Sequence, residues 1–125
     1  MTRLATDALT ESQRVPPHSI EAEQAVLGGL LLENSTFESL ADLVAVDDFY
    51  KSDHRTIFRA ISTLADRGVA FDVVTLHDHL SSEPETDQPG YIEYLKELLA
   101  NTPSTANIES YASLIRERAK LRRII

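Results

Sequence analysis

The sequence predicts an all-α domain, a compact bundle of short helices followed by one longer terminal helix. Three observations carry that prediction. Apolar residues recur at helical spacing, most cleanly at Ile57, Phe58, Ile61, Leu64 and Ala65. Serine and aspartate stand where helix N-caps are wanted, at Ser19, Ser35, Ser52 and Asp72. Pro16-Pro17, Gly68 and Pro103 punctuate the gaps. A chain of 125 residues with no cysteine can bury its own core without disulfides or thiolate-bound metal.

In chain order, residues 1–15 are polar, lack periodicity and read as a flexible tail. Ser19 caps a first helix over 20–32, with Glu21 and Glu23 in the first turn, where carboxylates suit the helix dipole. Its expected buried stripe is Ile20, Val26, Leu27, Leu30 and Leu31. Gly28-Gly29 costs helix stability, so the pair predicts a neighbour packed too closely for larger side chains. Ser35-Thr36-Phe37-Glu38 has the capping-box pattern and opens a short helix to about Val44. Asp47 to Tyr50 is a connector. Ser52 caps a third helix, 53–67, which Gly68 stops. Asp72 starts a fourth through Ser81, although Phe71 to Leu76 is also compatible with a short strand. Ser82 to Gly90 is an acidic loop with two prolines. A fifth helix, 91–100, buries Leu95, Leu98 and Leu99, and a sixth starts at Ser104 or Thr105 and runs to Ile125. The domain reading is a tail at 1–15, a helical globule at 16–103 and a terminal helix at 104–125.

At 100° per residue, Ile108, Tyr111, Ala112, Ile115 and Ala119 share one sector of the terminal helix. Leu114, Leu121 and Ile125 form a second sector beside it. Together they cover about 180°, more than the stripe a helix needs against one core. The helix therefore wants two partners, its own globule and something else. Arg118 and Arg122 fall inside the apolar arc, which points to a polar component in a contact. Glu109, Arg116, Glu117, Lys120 and Arg123 occupy the opposite face. Ile124 and Ile125 close the chain on two β-branched hydrophobes, as expected of a longer protein cut in mid-helix.

The net charge of −8, from 20 acidic against 12 basic residues, disfavours general nucleic-acid binding, which needs clustered cations. Five of those 12 basic residues, Arg116, Arg118, Lys120, Arg122 and Arg123, fall in the last ten positions. They are expected to solvate the terminal helix and suit its C-terminal dipole, with an acidic protein partner as the alternative and nucleic acid as a weaker one. A helix-turn-helix reader would need a polar, basic recognition helix, and the only basic helix here is half apolar. No secretory signal or bilayer-spanning run occurs, which leaves a soluble cytoplasmic protein as the expectation.

The residues offer no catalytic, cofactor-binding or metal site. No glycine belongs to a phosphate-binding GxxxxGK[ST] or GxGxxG loop, and no serine to a GxSxG elbow. Of the four histidines, His18, His54, His77 and His79, the last two sit two apart and point in different directions on a helix. Asp47-Asp48 and Asp53-His54 read as connector acids and a first helical turn.

Four stretches, PPHSIEAEQAVLGGLLLEN, DFYKSDHRTIFRAI, DVVTL and NTPSTANIESYASLIRERAKLRRII, resemble the N-terminal domain of bacterial replicative DNA helicases of the DnaB type. The resemblance covers Pro16 to Ile125; Pro89-Gly90 departs from it, standing where the family more often has Gly-Gly. It implies a helical globule followed by an antiparallel hairpin, of which this chain holds the first, truncated helix. Hairpins of neighbouring subunits pair within a hexameric collar. The ATP and Mg sites of an ATP-dependent DNA helicase then lie in a C-terminal domain outside this sequence, so no cofactor is expected here and single-stranded DNA is met only through the ring. The collar also docks the C-terminal helicase-binding domain of primase at the replication fork. By motif, the implied primase contacts are Glu21, Tyr94 and Ile125. The hairpin and dimer candidates are Leu114, Arg118, Leu121 and Ile125.

Overall fold

One helix, α1 (Ile20–Leu32), lies at the centre of the bundle. The computed structural model describes residues 15–83 and 91–125. The expected tail, apart from Val15, and the acidic loop beyond Glu83 lie outside the described residues. Around α1 stand α2 (Thr36–Leu40), a 3₁₀ turn (Val46–Asp48), α3 (Ser52–Asp66), α4 (Val73–Ser81), α5 (Tyr91–Ala100) and α6 (Ile108–Ile124). The described residues are all helix, turn and connector, with no strand among them. Phe71 to Leu76 is the entry to α4: the Asp72 carboxylate accepts from Thr75 N at 2.8 Å, and Thr75 Oγ1 accepts from Asp72 N at 2.8 Å.

α1 is central because it is apolar nearly all round. Ala22, Val26, Leu27, Leu30 and Leu31 are buried and both glycines are covered, while Ile20 is only half-buried. α6 and α5 make its largest contacts. The glycines permit them. A Cβ on Gly28 would sit 2.6 Å from the Leu98 carbonyl oxygen and run into the Thr102 side chain; one on Gly29 would sit 2.5 Å from Ile108 Cδ1. The close neighbour that the pair predicts is thus the end of α5 and the start of α6.

Two expected caps do not form. Ser35 has helical angles, φ −61° and ψ −19°, so its side chain cannot cap α2. Asn34 organises this corner instead, donating to Leu30 O at 2.9 Å and accepting from Phe71 N at 2.9 Å. α2 ends at Leu40, short of Val44, because the chain tightens there into a three-residue turn closed by Leu43 N donating to Leu40 O. Ser52 is the first residue of α3 rather than its cap. At its other end α3 stops as expected: Gly68 adopts φ +70°, and Gly68 N and Val69 N return to Ala65 O and Leu64 O at 2.9 Å each, the double bond of a Schellman ending.

α6 begins at Ile108, three residues later than Thr105. Thr105 Oγ1 is drawn to Glu33 at 2.9 Å, and Ile108 N closes a turn on Thr105 O. From there Ile108, Ala112, Ile115 and Ala119, four of the five residues of the first sector, are buried on the bundle, while its fifth, Tyr111, is exposed.

Candidate functional site

Glu23 is the first unexpected group. Its carboxylate, in the first turn of α1, is turned inward and is 1% exposed. It accepts from Tyr50 N at 2.7 Å and Lys51 N at 3.4 Å, the backbone entering α3, and pairs with His54 Nδ1 at 2.7 Å. A buried carboxylate is tolerable only with its lone pairs filled, and α3 supplies the partners. Because Glu23 accepts, Nδ1 carries the proton. On the far side of the ring, His54 Nε2 is 2.6 Å from the Tyr94 hydroxyl, and Gln24 Nε2 donates to the same oxygen at 3.3 Å. The consistent pattern is a chain from Gln24 to Tyr94 to His54 to Glu23, each donating to the next. The His54 and Tyr94 rings are near-parallel at 9°, and Lys51 Nζ stands 5.1 Å from the Tyr94 ring centre.

Tyr94 carries this buried chain to the surface. Its side chain borders a groove of about 370 Å³ between α1, α5 and α6, together with Glu21, Glu97, Leu98, Asn101 and Tyr111. Carboxylates and tyrosines line it, and among the described residues no Lys or Arg does. Tyr111 also borders a shallower, second groove with Asp42, Leu43, Glu109, Leu114 and Glu117. Both grooves thus combine carboxylates with apolar and aromatic side chains.

The other end of α6 is fastened by arginines. Asp48, 2% exposed, receives Arg116 Nε at 3.1 Å and Arg123 Nη2 at 2.9 Å on its carboxylate, as well as Ala45 N at 2.8 Å. Burial pushes this carboxyl up, but the Ala45 N–H and the guanidinium groups of Arg123 and Arg116 outweigh it and hold it below the usual carboxylate range. Arg122 donates to Pro17 O at 2.8 Å and Asp48 O at 2.6 Å and lies over the Tyr50 ring, which stacks on His18 at 4.1 Å. The expectation of a solvated basic face is therefore met only in part: Arg116 and Arg123 keep solvent on one side while their guanidinium groups bind Asp48, and Arg122 is drawn onto the globule. Arg116 and Arg123 sit at the border of the buried sector, close enough for long side chains to reach round to Asp48. Arg122, inside the apolar arc, finds its polar component within the chain itself.

Of the residues singled out from sequence, Glu21 and Tyr94 meet at one groove. Ile125 does not join them. It is 81% exposed and lies roughly 20 Å beyond Tyr111 along α6. Leu114 is half-buried against the core, and Leu121 and Ile125 are exposed. Among the described residues Arg118 reaches its neighbour Glu117, at 3.4 Å. Sequence reasoning missed Glu23, His54 and Asp48. The signal available for them was an acid, a histidine and a connector aspartate with no local partner. His77 and His79 point apart, and His79 faces Glu83 at 3.4 Å. Among the described residues no group of three or more potential ligands converges as a metal site, and no helix is long and apolar enough to cross a membrane.

A family model described as DnaB-like helicase N terminal domain matches residues 15–117. The chain is 44% identical over 111 residues to a protein of Pasteurella multocida named replicative DNA helicase DnaB, covering 89% of this chain and 24% of that protein. The protein of that name from Haemophilus influenzae is 43% identical over 121 residues, covering 97% and 26%. The chain thus spans about a quarter of the length of these relatives. The crystal structure of the N-terminal domain of DnaB helicase from Mycobacterium tuberculosis superposes with a TM-score of 0.81 at 36% identity, covering 87% of this chain and 79% of that one.

Proposed function

The chain belongs to the DnaB-like helicase N terminal domain family, and on that premise we propose that it is the collar of a replicative helicase, organising the ring and recruiting primase. It does so without chemistry of its own. The sequence holds no nucleotide-binding loop, and on this reading ATP and Mg are bound by another part of the subunit. The work of the domain is to present two surfaces. One is the Glu21–Tyr94 groove, which receives the C-terminal helicase-binding domain of primase. The other is the edge of α6 carrying Arg118, Leu121 and Ile125, with Leu114 behind it, which pairs with a helix of a neighbouring subunit.

The single observation that supports this most is the convergence of Glu21 and Tyr94 on one groove. A carboxylate, an aromatic ring and an apolar floor at Leu98 have the composition of a small interface hot spot. Ile125 stands apart from that groove, and the α6 edge is the surface it belongs to. On this reading Ile125 meets primase at a second point of a larger footprint.

The experiment is calorimetric titration of the primase domain into the full-length subunit. Tyr94→Ala is expected to weaken binding by more than about tenfold. Unchanged affinity removes Tyr94 from the contact and the groove from the proposal.

A further inference from the structure

We infer that His54 is a positioning residue for Tyr94, one that fixes the tyrosine ring at the groove in the orientation a partner meets. The inference rests on the reading of that groove as a partner site. Three facts carry it. The Tyr94 hydroxyl has its short contact with His54 Nε2, at 2.6 Å, and a longer one with Gln24 at 3.3 Å. The imidazole cannot turn, because its other nitrogen is held at 2.7 Å by Glu23 and the ring is wholly buried. Glu23 in turn is fixed by the amides of Tyr50 and Lys51. Three helices, α1, α3 and α5, are thereby tied through one imidazole, and Tyr94 is the member of the chain whose ring reaches the groove.

The consequence is preorganisation. A half-exposed tyrosine on a helix ordinarily samples several rotamers, and a partner that needs one of them bears the ordering cost. With its hydroxyl anchored, Tyr94 offers the bound orientation beforehand. Loss of the anchor is then expected to reduce affinity by about three- to tenfold, the usual weight of immobilising one such side chain.

A purely structural histidine would make binding follow stability, and two amide substitutions separate the cases. In His54→Asn the amide nitrogen stands near the place of Nδ1 and keeps Glu23 satisfied, but nothing reaches Tyr94. In His54→Gln the longer side chain brings its amide oxygen near the place of Nε2 and keeps Tyr94 anchored, while Glu23 loses one donor. The expected result is opposite orders. His54→Asn loses three- to tenfold in affinity for the primase domain, whereas His54→Gln stays within about twofold. The melting temperature falls at least as far for His54→Gln, since it removes one of the three donors of the buried carboxylate. The Tyr94 ring signals in NMR of the free protein, with only four tyrosines to assign, are expected to move in His54→Asn and to hold in His54→Gln. Affinities that follow the melting temperatures, or Tyr94 signals that move equally in both variants, overturn the positioning role while leaving the groove as a partner site. A Tyr94→Ala variant that binds normally overturns both, because the histidine then has nothing to position.

Discussion

Asp48 and Arg116 stand 68 residues apart in sequence and 3.1 Å apart in space. Arg123 takes the other carboxylate oxygen at 2.9 Å, so one buried aspartate on the 3₁₀ turn holds two turns of α6. The orientation of the helix edge proposed to meet another subunit is therefore set from inside the globule. Replacing Asp48 by Asn keeps the shape and the acceptor for Ala45 N but removes the charge that two guanidinium groups share. A loss of about 2 kcal/mol is expected, within the range for charge-assisted hydrogen bonds and below that for fully buried pairs, since both arginines are partly solvated. Urea unfolding should show a lower midpoint at unchanged slope. A midpoint equal to that of the parent would mean that the clamp adds nothing.

The same clamp predicts an acid limb. The folded Asp48 carboxyl titrates below its unfolded value, so its contribution is full above that unfolded value, about 3.9, and is lost as the pH falls through the folded one. The stability difference between parent and Asp48→Asn should accordingly shrink as the pH drops below about 4. A gap that stays constant from pH 7 to 3 would show that the charge is not its source.

An alkaline counterpart sits on α5. Burial, and after it the nearby Asp53 carboxylate, raises the Tyr91 phenol above its ordinary value; the phenol donates to Asp53 at 3.3 Å. A raised value means that stability is full below the unfolded pKa, about 10, and declines as the pH rises through the folded one. Tyr91→Phe should flatten that decline, as seen in melting temperatures measured between pH 8 and 11.

Much of this architecture was legible in the residues. α1 and α5 occupy the spans their periodicity predicts, 20–32 and 91–100, and Gly68 stops α3 with positive φ as a glycine after such a run should. These features depend on neighbours within a turn or two. What could not be read depends on partners far along the chain. Ser35 and Ser52 have cap chemistry, yet Asn34 bonding to Phe71 and Glu23 bonding to Tyr50 organise those corners instead. Glu23 looks like a first-turn acid that suits the helix dipole until the fold brings His54 beside it. Only Glu21 stays exposed as the surface acid that both look like; it is singled out with Tyr94 by the family resemblance, and no pattern in the residues announces a groove. Its inner support, His54, had no local signature at all.

The glycines give a graded test of the packing around α1. Gly28→Ala drives a methyl against the Leu98 carbonyl oxygen, 2.6 Å away, and backbone cannot rotate aside. Even after the gain of about 1 kcal/mol in helix propensity, a net loss of about 2 kcal/mol or more is expected. Gly29→Ala clashes with the end of the Ile108 side chain, which can move, and touches Thr105 Cγ2 at ordinary contact distance, so its net effect should lie within about 1 kcal/mol of zero. Gly68→Ala meets no atom but forces alanine to φ +70°, at a cost of about 1 kcal/mol. Thermal unfolding followed by circular dichroism ranks the three, and a Gly29 variant worse than the Gly28 one would mean that the α1–α5 approach is looser than the geometry says.

The edge of α6 yields the last prediction. Leu121 and Ile125 are 41% and 81% exposed, a short apolar ridge with Arg118 beside it. A stable interface needs roughly 800 Å² from each partner, and this ridge on one helix offers well short of that. The 125-residue chain is therefore expected to be monomeric or a weak dimer at micromolar concentration by light scattering, and a stable hexamer of it would refute the pairing mode proposed here. In the full-length subunit the ridge is expected to matter more, because a paired helix doubles the surface on offer. Leu121→Asp combined with Ile125→Asp should shift that subunit toward smaller species, whereas Lys120→Asp, on the exposed face away from the ridge, should leave its assembly intact. If both variants assemble like the parent, the ridge is ordinary surface and the ring must be organised from another face of the domain.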